Sequence, residues 1–236
     1  MVARHGFKPS LGKSDLSRYV ARQCSRVFPD KRIAAEQLIP HVQTALQRAE
    51  YCFSRSTNKY FSDGNQTYFN HLHTDQYAMF LYLLGNTIYR EGGDPRLAAK
   101  TYMLNKVLHS IDVFYEVELP DVFFFQHPIG TILGRAKYSN YFSIYQNCTV
   151  GANEEQLIPR GRGSYPTLGE SVIMYGGSAI IGDCTVGDHC WLSNGTIVMN
   201  QDCPSNSIIF GRSPNIVIKE KPSDYIKALF RTEADR

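Results

Sequence analysis

The sequence predicts an α+β chain in which an α-helical first half feeds a three-sided parallel β coil, and three observations predict it. Apolar residues recur at helical spacing over roughly the first 110 residues. From Leu168 to Met199, "LGESVIMYGGSAIIGDCTVGDHCWLSNGTIVM", a bulky apolar residue returns at every sixth position: Leu168, Met174, Ile180, Val186, Leu192 and Val198. The same frame extends backward through Ile132, Tyr138, Ile144 and Val150.

The helical half is read in order. Ser14 is placed to cap a segment whose apolar residues Leu16, Val20, Cys24 and Val27 share one face. "RIAAEQLIPHVQTALQRAEYCF" repeats the theme through Ile33, Val42, Leu46 and Phe53, with Pro40 expected to start or kink the helix. Residues 55–75 are polar and turn-rich and read as a connection. Tyr77, Phe80, Leu81, Leu84 and Ile88 mark a third helix, closed by "REGGDP". Asp94 before Pro95 signals a fourth start, continued by Leu97, Leu104, Leu108 and Ile111.

Neither a helix nor a simple strand repeats every six residues. A short strand plus a turn along one face of a triangular prism does, and three faces close a coil of about 18 residues, with neighbouring coils about 4.8 Å apart. The bulky residue fills the interior. The fifth position of each hexad is small or compact (Ala136, Cys148, Val172, Ser178, Cys184, Cys190, Thr196), as expected near a corner. Gly134, Gly151, Gly169, Gly182 and Gly187 lie at or beside the bulky positions and read as tight corners. Sandwich strands separated by glycine turns are the plainer alternative, but they alternate at two and do not hold a six-residue frame over six hexads. Residues 153–166 break the frame with charges, Gly and Pro, and read as a loop extruded from a corner. The expected organisation is an α-helical domain over 1–111, the β coil over 112–218 and a C-terminal tail or helix over 219–236.

Bulk properties exclude several classes. The 236 residues, 43% hydrophobic, suffice for real cores, and a net charge of +3 from 25 basic and 22 acidic residues gives no case for nucleic-acid binding. "YAMFLYLLG" at 77–85 falls far short of the roughly 20 apolar residues a membrane span needs, and the N-terminus lacks an apolar signal core, so a cytoplasmic protein is expected. The six cysteines form no Cys-x-x-Cys pair and are expected to be free thiols, those at 148, 184 and 190 as packing residues.

Three stretches carry a family resemblance. In "IDVFYEVELPDVFFFQHPIGTILGRA", Asp112 precedes His127 by fifteen residues and Gly130 follows in a His-x-x-Gly pattern. "SIYQNCTVG" at 143–151 and "GESVIMYGGSAIIGDCTVGD" complete the match. Over about residues 70–222 the chain resembles the serine acetyltransferases of the hexapeptide-repeat acyltransferase superfamily. The resemblance implies a left-handed parallel β-helix, a hand that the general rule for parallel crossovers would reverse. It further implies acetyl-CoA as co-substrate, no metal, and a homotrimer or dimer of trimers with the acetyl-CoA groove between prisms. Gly151, Gly176, Gly177, Ser193 and Asn194 would line that groove, with Arg212, Lys219 and Lys221 available to the phosphates or simply solvated.

The chemistry suits those residues. An alcohol attacks a thioester only with a base whose pKa lies near ambient pH, and His127 would be that base. Asp112 would orient the ring and stabilise the imidazolium. A lone histidine at a coil edge is more often a structural residue; the matched Asp112, Gly130 and the repeats favour catalysis. The match fails at two places. Serine acetyltransferases carry an Asp just before the catalytic His and an Arg-His pair at the end of the extruded loop, where this chain has Gln126 and then Ser164 and Tyr165. Neutral groups suit a sugar hydroxyl better than a zwitterion, whose charges would be desolvated without partners. With Arg160 and Arg162 available to an anionic acceptor, the sequence favours O-acetylation of a sugar or glycan precursor, with L-serine O-acetylation and amino-sugar N-acetylation as alternatives. A three-histidine zinc site like that of γ-type carbonic anhydrases is not available, because the prism holds only His127 and His189. A non-catalytic trimeric scaffold remains the third class, opposed by the Asp112 and His127 pair.

Overall fold

In the computed structural model, residues 6–153, 165–220 and 226–232 are described. The chain divides into two compact units, Met1–His109 with Lys227–Arg236, and Ser110–Ile226.

The first unit contains α1 (Lys13–Val27), α2 (Ala35–Phe53), α3 (Thr74–Arg90) and α4 (Pro95–His109). α3 packs on α2 and α4, and α1 packs on α2 and α4. Every residue of α3 from Asp75 to Ile88 is buried, so its polar members need partners. Arg48 of α2 supplies three hydrogen bonds, to Leu83 O, Thr87 Oγ1 and Asn86 Oδ1 at 3.3, 2.8 and 2.9 Å. Asp94 caps α4 through the Arg96 N–H at 2.9 Å, leaving Pro95 where its missing N–H costs nothing.

Several local expectations are corrected. α1 begins at Lys13 after Gly12, and no side chain caps it, so Ser14 lies inside the first turn. Val27 and Leu108 are exposed, at 38% and 43%. Pro40 sits within α2. The segment read as a plain connection contains β2 (Gln66–Phe69), paired in parallel with β1 (Gly6–Pro9). Residues 227–232 complete this unit: α5 (Ile226–Leu229) leads to Phe230, bridged to Ser56 and 1% exposed.

The second unit is a parallel coil with three faces. One face stacks β3 (Asp112–Val113), β5 (Ile132–Leu133), β8 (Thr149–Gly151), β11 (Ala179–Ile181) and β14 (Ile197–Met199). A second stacks β4 (Phe123–Phe125), β7 (Phe142–Ile144), β10 (Ile173–Met174) and β13 (Trp191–Leu192). The third stacks β6 (Lys137–Tyr138), β9 (Thr167–Leu168) and β12 (Thr185–Val186). β15 (Ser207–Arg212) joins the first two faces and pairs antiparallel with β16 (Asn215–Glu220), which continues past residue 218.

Register explains the six-residue period. Thr185 pairs with Thr167 and Trp191 with Ile173, eighteen residues apart, one coil. Thr167 pairs with Lys137 thirty residues back, so one excursion leaves the coil between β8 and β9. Leu168, Met174, Ile180, Val186, Leu192 and Val198 are all fully buried, and Val172, Ser178, Cys184, Cys190 and Thr196 are buried beside them. The backward frame slips at its far end: Val150 pairs with Leu133, which is 2% exposed, while Ile132 points outward at 47%. The corners turn through the left-handed region, which costs an ordinary L-residue about 1–2 kcal/mol. One corner stacks Tyr141, Ser171, His189 and Asn206, and another carries Asn147, Gly177 and Gly195, all at positive φ. Of the glycines read as corners, only Gly182 has positive φ. Gly169 and Gly187 serve close stacking instead: a Cβ would fall 2.4 Å from Asp188 Oδ1 and 2.5 Å from Ser205 Oγ.

Candidate active site at one edge of the coil

The edge that follows the second face carries the sequence-predicted residues. Its stacking is fixed by a run of backbone bonds: Gln126 N–H to Ile144 O, Tyr145 N–H to Met174 O, Tyr175 N–H to Leu192 O and Ser193 N–H to Ile209 O, at 2.9 to 3.0 Å. Gln126, Tyr145, Tyr175 and Ser193 therefore lie one above another. The next step of the corner continues the stack, with Gly177 N–H donating to Gln146 O and Gly195 N–H to Gly176 O. Gly176, Gly177, Ser193 and Asn194 thus share the edge on which His127 sits.

The His127 corner differs from those it stacks on. Six residues lie between Phe125 and Ile132, where four lie between the matching Ile144 and Thr149, so the corner bulges. His127 occupies the bulge at φ +49°, exposed, and Gly130 follows at φ +73°. Two backbone bonds tie the bulge to the strand bearing Asp112: Gly130 N–H to Ser110 O and Asp112 N–H to Thr131 O, both 2.9 Å. A Cβ at Gly130 would lie 2.3 Å from Asn147 Oδ1, which explains the glycine. Thr131 is fully buried and locks the corner from inside, its hydroxyl donating to Tyr145 O at 2.7 Å.

Gln126 does not stand alone in solvent. Its Nε2 donates to the buried Ser143 Oγ at 3.2 Å, and its side chain bonds the Tyr145 phenol. Burial pushes that phenol's pKa up, with the Gln126 bond opposing it. Tyr145 stacks on Tyr175 at 5.1 Å between centroids, and Tyr175 meets Trp191 edge-on at 6.1 Å. Sequence reading missed this aromatic row, although Tyr145 and Tyr175 hold the same place in their hexads. A period of six looks for inward residues and passes over outward ones.

The remaining site residues are distributed as follows. Gly151 ends β8 on the first face, its carbonyl accepting from Gly182 N–H at 2.9 Å. Arg212 and Lys219 lie on the β15–β16 hairpin, with Lys219 Nζ 5.7 Å from the Phe210 ring centroid. Tyr165 is 41% exposed. Arg160, Arg162, Ser164 and Lys221 lie outside the described residues. His189 sits at the opposite corner of the second face, its N–H donating to Glu170 O at 2.7 Å. All six cysteines are free and buried, and burial raises Cys184 to about 11 and Cys203 to about 12, which keeps these two thiols protonated near neutral pH. Among the described residues, no three His, Cys, Asp or Glu side chains gather as metal ligands, and no helix is long and apolar enough to cross a membrane.

Fold and edge together define a hexapeptide-repeat β-helix protein with a helical N-terminal unit. The chain is serine acetyltransferase-like. It is 25% identical over 126 residues to a serine acetyltransferase of Synechococcus elongatus, covering 53% of this chain and 48% of that protein. A serine acetyltransferase of Bacillus subtilis matches at 24% over 98 residues, 41% of this chain and 43% of that one. The chain thus spans less than half the length of these relatives. The Neisseria gonorrhoeae serine acetyltransferase structure superposes with a TM-score of 0.69 at 16% identity, covering 92% of this chain and 82% of that one. No protein-family model matches.

Proposed function

We propose that the chain is an acetyl-CoA-dependent O-acetyltransferase with His127 as general base and Asp112 as its orienting partner. The observation that carries this reading is the pair of backbone bonds joining the His127 bulge to the Asp112 strand, on the edge that also bears Gly176 and Gly177. The acceptor hydroxyl oxygen attacks the thioester carbonyl while His127 takes its proton. The tetrahedral oxyanion then collapses, the C–S bond breaks, and the imidazolium returns the proton to the departing thiolate, so atoms and charge balance. The edge fits a narrow pantetheine arm: a Cβ at Gly195 would meet nothing within 4 Å, and one at Gly177 nothing closer than 3.8 Å, so the backbone lies open there. Arg212 and Lys219 would meet the phosphates. The family's trimer, with this edge at the contact between prisms, is part of the same reading.

For the acceptor, the names of the relatives support L-serine over the sugar hydroxyl that the sequence alone favoured. One observation supports the sugar as a second reading: Gln126, Ser143 and Tyr145 form a neutral hydrogen-bonded group where the family has a carboxylate. Purified protein with acetyl-CoA, assayed for free coenzyme A against L-serine, sugar nucleotides and amino sugars, separates them. Turnover with L-serine at ordinary enzyme rates supports the first reading. Turnover with a sugar alone replaces it with the second, and thiol release with no acceptor at all removes both.

A further inference from the structure

A cleft of about 640 Å³ lies in the first unit between the second half of α1 and the segment leading into α2. Arg18, Arg22 and Arg26 line it from α1, and Arg32 lines it from the connecting segment. A spacing of four residues puts the three α1 guanidinium groups on one helix face, about 6 Å apart along the axis. Such a row repels itself, and the helix alone gives no reason for it. Arg26, in the last turn, complements the helix dipole, but Arg22 and Arg32 have no such role. Arg18 is tied to Asp15, whereas Arg22, Arg26 and Arg32 make no hydrogen bond or ion pair to any described residue.

The opposite wall adds donors. Ala34, at the N-cap of α2, offers no side-chain oxygen, and Ala35 and Glu36 of the first turn border the same cleft. Gln37 Oε1 accepts from the Ala34 N–H and the Gln37 N–H donates to Ala34 O, both at 3.2 Å, so the amides of Ala35 and Glu36 are the first-turn donors that lack an intrahelical acceptor and favour an anion. Glu36 is the one acidic side chain lining the cleft. Three unpartnered arginines against one carboxylate leave an excess of two positive charges, which a single-charge anion would not balance. The volume lies in the range of small-molecule sites.

We propose that this cleft binds a small polyanion carrying two or more adjacent phosphoryl groups, clamped by Arg22, Arg26 and Arg32. Guanidinium groups present paired N–H donors that match phosphoryl oxygens two at a time, and a row of them matches a row of phosphates. The site is independent of the acyl-transfer reading and lies in the other unit of the chain.

Titration calorimetry on the full chain tests it, using inorganic tripolyphosphate and ATP as probes and orthophosphate as the single-phosphoryl control. Saturable binding of tripolyphosphate is expected, with orthophosphate at least roughly tenfold weaker and affinity falling with salt. Comparable tripolyphosphate and ATP affinities assign recognition to the phosphates alone, and tighter ATP binding assigns a contribution to the nucleoside. The double variant Arg22→Ala/Arg26→Ala should weaken both probes by roughly tenfold or more with an unchanged melting temperature. Glu36→Gln should tighten them severalfold. Absent heats with either probe, or affinity untouched by the double variant, overturn the proposal. So does a change in molar mass of the double variant by light scattering, which would assign the cleft to contacts between copies. If the double variant does not fold, Glu36→Gln decides, and unchanged affinity there overturns the proposal.

Discussion

α3 is buried along its length from Asp75 to Ile88, whereas no strand of the coil from β3 to β14 exceeds three residues. The helix satisfies its own backbone within each turn and needs neighbours only for its side chains. The coil strands satisfy theirs with residues usually 17 to 20 positions away, as in Ile132 with Thr149 and Asp112 with Ile132. In the helical unit, cohesion comes from which faces are apolar; in the coil it comes from register. A site built on the coil edge therefore inherits its precision from stacking, and a bulge such as that at His127 is held by the coils beneath it.

The largest expected effect separates chemistry from stacking. His127→Asn, chosen because Asn tolerates the positive φ, should lower acetyl transfer by about 10²–10⁴-fold with the melting temperature unchanged, read by coenzyme A release and thermal melts. Retained turnover would remove His127 as the base. Next come the cores. Phe80→Ala in α3 should cost about 3–5 kcal/mol and Met174→Ala in the coil about 2–5 kcal/mol, measured by urea unfolding. If Met174→Ala costs nothing, the coil interior is not close-packed as described. Gly130→Ala should cost roughly 1–2 kcal/mol from the positive φ alone, with a further loss from the Asn147 contact that Asn147→Ala relieves in the double variant.

A smaller effect concerns pH in the helical unit. His109 of α4 is 7% exposed, bonded to Asn105 at 2.7 Å and edge-on to the Tyr77 ring at 5.7 Å. Burial lowers its pKa from 6.5 to about 4. A depressed histidine means the unfolded chain binds the proton first, so its share of stability is whole above pH 6.5 and declines as pH falls toward 4. Unfolding midpoints of wild type and His109→Gln should converge over that window, and parallel curves would refute it. The smallest effect is analytical: the six buried thiols should react with a disulfide reagent at pH 8 only after denaturant is added, leaving released coenzyme A as the thiol read in the assay.

Most of the coil was legible in sequence because its period is forced by geometry. Six consecutive inward residues from Leu168 to Val198 must be apolar, and no other backbone repeats that way. Legibility fails where the step changes: Leu133 and Tyr138 lie five residues apart in place of six, so a frame stepped back from Tyr138 lands on Ile132 and not on the inward Leu133. The β1–β2 pair was invisible because each strand has four residues and their partners lie sixty positions apart. At the candidate site, the shared edge of Gly176, Gly177, Ser193 and Asn194 follows from their places in the hexads. The bonding of Gln126 to Ser143 and Tyr145 does not, since it joins outward side chains of adjacent coils on which the period places no demand.

Residues 227–232 return to the helical unit, where Arg231 N–H donates to Arg55 O at 2.7 Å and Thr57 N–H to Leu229 O at 3.1 Å. During vectorial synthesis the four helices leave the ribosome well before this closing segment is made. At translation speeds of about 5–20 residues per second, the strip at residues 55–57 waits for roughly 9–35 seconds without its cover. A nascent chain therefore exposes a strip that the folded protein covers.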